Sequence, residues 1–332
     1  KKYLITKMKL ILTFALLSVS LHGAAQQHPL WMRYNAISPD GQTVVFSYKG
    51  DLFSVPASGG AARQLTSNAA YDAYPVWSPN GKKIAFGSTR EGSLDVYVID
   101  RNGGEPQRLT TSSASERPVA WKDSEHVLFS SAVMPDAQSI FFANNQFPQI
   151  YEVDLAGSRP RLFSVVNMED LSINKTGDIL YHDKKGYEDP FRKHHLSSIT
   201  RDIWLKKGSS YTKLTTFGGE DRTPRWAADG TSFYYLSEHD GTFNVYRRDL
   251  SSERATQLTH FKGNHVRFLS VAKGGTLCYC YNGEIYVQSH DGEPRKLEVS
   301  IAADRNDVDL ERQIKTRGAT EIVLSPNGKE IG

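Results

Sequence analysis

Short apolar runs recur along the chain at nearly constant spacing, each bounded by turn residues and each followed by a segment that alternates polar and apolar side chains. Thr43 to Ser47 (TVVFS) and Lys83 to Gly87 (KIAFG) are β-branched and aromatic runs too short for helices. Asp95 to Asp100 (DVYVID) alternates with period two before Asn102-Gly103-Gly104 turns the chain into the next segment. The runs predict inner or middle strands of a sheet, and the alternating segments predict their neighbours.

Three phrases repeat in a fixed order around these runs. The turn phrase reads SPDG at Ser38, SPNG at Ser78, a degraded WKDSE at Trp121, NKTG at Asn174, AADG at Ala227 and AKGG at Ala272, and SPNG returns at Ser325. In such a turn proline presets φ, Asp or Asn accepts backbone hydrogen bonds, and glycine takes the left-handed conformation. The second phrase pairs a polar residue with an apolar-aromatic couple: Asp51-Leu52-Phe53, Asp95-Val96-Tyr97, Gln149-Ile150-Tyr151, Asp202-Ile203-Trp204, Asn244-Val245-Tyr246 and Glu284-Ile285-Tyr286. The third is RQLT from Arg63, QRLT from Gln107, RLFS from Arg161, TKLT from Thr212, TQLT from Thr256 and RKLE from Arg295. Each copy therefore holds four strands. One four-stranded sheet cannot bury both faces alone, so radial stacking of copies must supply the core. The expected fold is all-β: a six-bladed β-propeller of four-stranded antiparallel blades over residues 31–298, followed by the start of a second propeller. The recurring aromatics Tyr97, Tyr151, Trp204, Tyr246 and Tyr286 are expected in the core.

Outside the propeller the expected organisation is a signal peptide over residues 1–25, a connector over 299–318 and the truncated first strands of a second propeller over 319–332. Lys7 and Lys9 precede the apolar run Leu10 to Leu21, and Gly23-Ala24-Ala25 follow. This is the layout of a secretory signal, with Met8 as the natural start. The run falls short of the roughly 20 residues a spanning helix needs, so no membrane anchor is expected after cleavage, and the product is expected to be exported to the periplasm or the extracellular space. In the connector, Leu310 and Ile314 stand at helical spacing. The repeat that restarts at Ser325 implies a longer parent protein.

Charge and chemistry narrow the function. Forty basic against 37 acidic residues give a net charge of +3 without a long single-sign run, which argues against nucleic acid as a partner. Cys278 and Cys280 lie two apart on one strand face and read as free thiols, since a bridge between them would be strained. No G-x-S-x-G elbow, H-E-x-x-H helix, phosphate loop, dinucleotide turn or calcium loop occurs, so no catalytic residue, cofactor or metal is assigned to this chain. Lys184 to Arg201 interrupts the fourth copy with basic and imidazole side chains. Arg192, Lys193, His194, His195 and Arg201 could form a cationic patch for an anionic group, and a solvated loop is the alternative. A second excursion, Val133 to Phe147, reads as a polar surface loop.

The SPDG/SPNG, D-[LVI]-[FYW] and [RQ]-x-LT phrases resemble the WD40-like propeller repeats of tricorn-type and TolB-type proteins. The segment YEDPFRKHHLSSITRDIW (Tyr187 to Trp204), then DRNDVDLERQ and SPNGKEIG, is similar to the N-terminal half of tricorn-like serine peptidases. That resemblance implies a non-catalytic propeller that filters or binds short peptides for a C-terminal catalytic region absent from this chain. It implies peptide substrates and the chain's own C-terminal domains as partners, and it leaves a homo-oligomer open. It also suggests Arg192 and Lys193 as anchors for a substrate carboxylate. The alternative is a TolB-type periplasmic interaction propeller without enzymatic activity. A prolyl oligopeptidase-like propeller would lead to an α/β-hydrolase domain, which the restart at Ser325 disfavours.

Overall fold

The computed structural model describes residues 29–132, 148–186, 196–302 and 323–326. The signal segment, the excursion Val133 to Phe147, and most of the connector and restart lie outside the described residues. Contacts divide the chain into one unit of residues 1–301 and a second of residues 302–332. The first unit holds all 25 strands, and no helix occurs among the described residues.

Blade 1 comprises β1 (Arg33–Ile37), β2 (Thr43–Tyr48), β3 (Asp51–Pro56) and β4 (Gly60–Gln64). Blade 2 comprises β5 (Asp72–Trp77), β6 (Lys83–Glu91), β7 (Ser93–Asp100) and β8 (Gln107–Arg108). Blade 3 comprises β9 (Glu116–Trp121), β10 (His126–Ser131), β11 (Gln149–Asp154) and β12 (Arg161–Ser164). Blade 4 comprises β13 (Met168–Ile173), β14 (Ile179–Asp183), β15 (Ile203–Lys207) and β16 (Ser210–Lys213). Blade 5 comprises β17 (Asp221–Trp226), β18 (Ser232–Ser237), β19 (Asn244–Asp249) and β20 (Ala255–Gln257). Blade 6 comprises β21 (Arg267–Val271), β22 (Leu277–Tyr281), β23 (Glu284–Gln288) and β24 (Arg295–Lys296). Within each blade the strands pair antiparallel in chain order. The architecture is the six-bladed, four-stranded propeller expected from the repeat, and the TVVFS and KIAFG runs are second strands, one place out from the axis.

The core is not one cluster but six, one at every contact between neighbouring blades. Period-two alternation on the second strands divides the side chains between the two neighbours. Val44 and Phe46 pack against blade 6, with Cys278 and Cys280, whereas Val45 packs against Trp77 and Phe86 of blade 2. On β10, Val127 and Phe129 face blade 2, and Leu128 faces Met168 and Tyr181 of blade 4. On β18, Phe233 and Tyr235 face blade 4, and Tyr234 and Leu236 face blade 6. Both cysteines are buried and unbridged, on one face as expected. Phe53, Tyr97, Tyr151 and Tyr246 are buried, while Trp204 and Tyr286 are half-buried at the margins of these clusters.

Hydrogen bonds give the repeated phrases their local purpose. In the first turn the Ser38 hydroxyl accepts from Thr43 N–H at 3.0 Å, and Asp40 accepts from Gln42 N–H at 3.0 Å. Ser78 and Asn80 repeat this with Lys83 and Lys82. In the four blades whose third phrase ends in Leu-Thr, the threonine hydroxyl accepts the N–H that follows the polar residue of the second phrase. Leu52 donates to Thr66, Val96 to Thr110, Ile203 to Thr215 and Val245 to Thr259, each at 2.9 Å.

Neighbouring inner strands are also stapled by indoles. Trp77 Nε1 donates to Ala36 O, Trp121 Nε1 to Val76 O and Trp226 Nε1 to Ser172 O, each at 3.0 Å. Blade 1 meets blade 6 differently: Ile37 N–H donates to the Ser270 hydroxyl at 3.1 Å and Met32 N–H to Gly283 O at 3.0 Å. Val299–Ile301 (β25), at the start of the stretch read as a connector, then runs parallel to β4 at the outer edge of blade 1. Gly59 permits that approach, since a Cβ there would stand 2.8 Å from Glu298 O.

Thr110→Val keeps the side-chain shape but leaves the buried Val96 N–H without its acceptor. The expected loss is about 1–3 kcal/mol. It should be read as a lower urea midpoint at unchanged slope. An unchanged midpoint would show that the phrase has no such structural role.

Candidate functional site: the central cavity

The six inner strands enclose a cavity of about 1020 Å³. Its wall is written in the sequence at fixed distances before each turn. With the third turn counted from Lys122, five residues before stand Arg33, Ala73, Arg117, Glu169, Arg222 and Arg267; four before stand Tyr34, Tyr74, Pro118, Asp170, Thr223 and Phe268. Two before stand Ala36, Val76, Ala120, Ser172, Arg225 and Ser270. All but Ala73 line the cavity. Ala36, Val76, Ala120 and Phe268 also touch the clusters between blades, but the charged and hydroxyl-bearing members of these rings line the cavity, so the inner strands lack the apolar pattern that marks the second strands. The sequence reading passed over them, and their constant offset from the turns is the signal that could have found them.

The first of these rings is a cationic collar of four arginines, interrupted by Glu169 and by the small Ala73. A buried network on blades 4 and 5 neutralises part of it. Arg201, 3% exposed, is ion-paired through Nε to Glu169 and through Nη1 to Glu220 at 3.1 Å, and Glu220 also receives Arg222 Nε. Thr223 N–H donates to His182 Nδ1 at 3.0 Å, which leaves the proton on Nε2, 3.3 Å from Glu169. Burial would raise the Glu169 carboxyl, but His182 and Arg201 together hold it well below the usual carboxylate range. Lys184 lies 3.9 Å from Glu169, and burial lowers its ammonium despite that attraction. With both ring nitrogens engaged, His182 is a structural link and not a poised base. Asp170 is taken by Arg225 in a two-pronged pair at 3.0 and 3.1 Å. Among the described residues no group of three or more His, Cys, Asp or Glu side chains could hold a metal ion.

Arg201 thus departs from the expectation that it joins an exposed basic patch: it is an internal counter-ion, because two carboxylates reach it where solvent does not. Arg192, Lys193, His194 and His195 lie outside the described residues. The insertion that carries them leaves after β14 and returns at β15. Its roots at Asp183 and Ile203 pair beside the start of β13, the end of the blade that bears the arginine collar. Lys185 Nζ fastens this root to Thr200 O at 2.6 Å and to Asp202.

One carboxyl near this network makes stability depend on pH. Burial pushes Asp221 from 3.8 to about 7, helped by Asp202 and Glu220 and opposed by the hydroxyls of Ser237 and Thr215. A native carboxyl that holds its proton more tightly than the unfolded one stabilises fully below about pH 4. That contribution is lost as pH rises to about 7. Glu169 acts in the opposite sense, and only below its ordinary range. Asp221→Asn should therefore gain stability relative to the parent chain at pH 8 compared with pH 5, measured by urea midpoints. An equal difference at both pH values would contradict the assignment.

Comparison with known proteins places this geometry. Residues 29–293 match the family model described as the tricorn protease N-terminal β-propeller domain. The chain is 24% identical over 286 residues to tricorn protease homolog 1 of Streptomyces coelicolor, covering 84% of this chain and 26% of that protein. It is 24% identical over 293 residues to the tricorn protease of Thermoplasma acidophilum, covering 82% of this chain and 26% of that protein. It therefore spans about a quarter of the length of these relatives. Among solved structures, the tricorn protease superposes with a TM-score of 0.70 at 18% identity over 89% of this chain and 28% of that one. TolB from Acinetobacter baumannii superposes with a TM-score of 0.59 at 18% identity over 80% of this chain and 62% of that one. The family model covers residues 29–293, from before β1 to beyond β23, and the chain belongs to the family of tricorn protease N-terminal β-propeller domains.

Proposed function

We propose that this chain is the non-catalytic propeller portion of an exported tricorn-like serine peptidase, and that its central cavity binds short peptides and filters them for a catalytic region outside the chain. The observation that carries the reading is the cavity itself, whose wall offers guanidinium groups and aromatic rings at one end. A peptide presents a carboxylate and apolar side chains, which are the complements of those groups. Export rests on Lys7, Lys9 and the apolar run Leu10 to Leu21. Arg192 and Lys193 serve as carboxylate anchors in this reading, because the insertion that bears them is rooted at the collar end. Peptides and the parent protein's own C-terminal domains are the partners, and copies of the parent associate as a homo-oligomer.

The likeness to TolB favours one second reading, a propeller that binds a partner protein and serves no peptidase. The two readings differ in what enters the cavity. In the peptidase reading the pure chain binds labelled short peptides saturably, more weakly at high salt, and without turnover. In a longer enzyme that includes the catalytic region, replacing Arg192 and Lys193 with Ala should raise KM for free-carboxylate peptides by about tenfold, the loss of one charge-assisted hydrogen bond. Amidated peptides should be little affected. Equal effects on both peptide forms would remove the anchor role, and absence of any saturable peptide binding would favour the partner-protein reading.

A further inference from the structure

Four inner strands share a backbone feature. Tyr34, Tyr74, Thr223 and Phe268 have φ of 53°, 56°, 54° and 58°, and each sits at a bulge where its strand's register shifts. Left-handed backbone is costly for aromatic and β-branched residues, on the order of 1–3 kcal/mol each. A bulge re-aims a side chain, and here it turns one residue per blade towards the axis. On blades 6, 1 and 2 those residues are aromatic and meet as one cluster. The rings of Tyr34 and Tyr74 are 4.3 Å apart between centroids, and those of Tyr34 and Phe268 are 4.8 Å apart. All three are half-buried and line the cavity.

Guanidinium groups flank this cluster. Arg33 precedes Tyr34 and lies over the ring of Trp31 at 5.8 Å; Arg117 lies over Tyr74 at 5.5 Å and donates to Glu169 O. Neither guanidinium stands in a close ion pair with a described carboxylate, and Arg117 acts on Asp170 only from a distance, behind the direct Asp170–Arg225 pair. Glu169, the one carboxylate of the collar, is saturated by Arg201 and His182. The cavity wall therefore carries both chemistries at one level: aromatic rings on blades 6, 1 and 2, and guanidinium groups at Arg33 of blade 1 and Arg117 of blade 3.

We propose that this wall is a specificity subsite for an extended peptide segment that carries an aromatic side chain next to a carboxylate. The aromatic side chain stacks on Tyr34, Tyr74 and Phe268, and the carboxylate pairs with Arg117 and Arg33. The strained bulges are retained because they hold the three rings at the axis. This assignment rests on the peptide-binding reading above and adds the class of peptide to it.

The test uses fluorescently labelled pentapeptides that differ only at two adjacent positions, Phe, Leu or Ala at one and Asp or Asn at the other, with binding read by anisotropy. The Phe-Asp peptide is expected to bind about tenfold tighter than Ala-Asp and about tenfold tighter than Phe-Asn. Tyr34→Gly and Phe268→Gly remove a ring while easing the left-handed backbone, although Phe268 also packs on the blade 6–blade 1 cluster; in each variant whose urea midpoint shows a folded chain, the preference for Phe should be abolished but not that for Asp. Arg117→Gln should do the reverse. If the peptides bind without a Phe or Asp preference, or the preferences survive these substitutions, the subsite is wrong while peptide binding stands. If none of the peptides binds, the peptide-binding reading itself fails, and the subsite with it.

Discussion

Everything in this molecule depends on the contact between adjacent blades. A four-stranded sheet whose second strand is buried along its whole length has two apolar faces and no means of covering either. In this chain the alternation of side chains hands one face to the preceding blade and the other to the next, so that six interface clusters replace a single core. Burying one Phe or Leu at such an interface is worth about 1.5–3 kcal/mol. No blade can collect that gain unless both its neighbours are in place, and the ring must therefore close. Closure between blades 6 and 1 uses the same kind of apolar contact, with β25 laid along β4 as an additional clasp.

A ring held together between its blades has no need of side chains at its axis. Indole hydrogen bonds tie the inner strands of blades 1 and 2, 2 and 3, and 4 and 5. What remains in the middle is a cavity whose lining is released from core packing. That freedom is where charge, aromatic rings and left-handed backbone accumulate. Blades 4 and 5 use it for an ionic network around Glu169, Arg201 and Glu220, which removes some charges from the cavity's chemistry. Blades 6, 1 and 2 use it for an aromatic cluster flanked by the guanidinium groups of Arg33 and Arg117.

How much of this could be read from sequence follows from the same division. The second strands and the turns were legible because burial and turn geometry constrain residue type directly, and each constraint recurs in successive copies. The threonines of the Leu-Thr phrase were visible as a motif, but their role as acceptors for Leu52, Val96, Ile203 and Val245 needed coordinates. The inner strands escaped notice because residues such as Arg33, Tyr74, Asp170 and Thr223 follow no periodic pattern. Arg201 was read as one more surface cation of the basic insertion. Its carboxylate partners lie 32 and 19 residues away, and nothing local in the sequence reveals them.

Family membership connects this cavity to much longer proteins: the matched part of the chain spans 26% of the Streptomyces coelicolor and Thermoplasma acidophilum relatives. The fold alone does not assign a function, since propellers serve many. The functional account stands on the cavity as the place of binding. Photo-cross-linking tests that placement most directly: a short peptide bearing a benzophenone side chain is irradiated with the pure chain, and the labelled residues are mapped by mass spectrometry. The account predicts saturable labelling on the inner strands Arg33–Ile37, Asp72–Trp77 and Arg267–Val271. Labelling confined to the outer strands, or labelling that does not saturate, would contradict it.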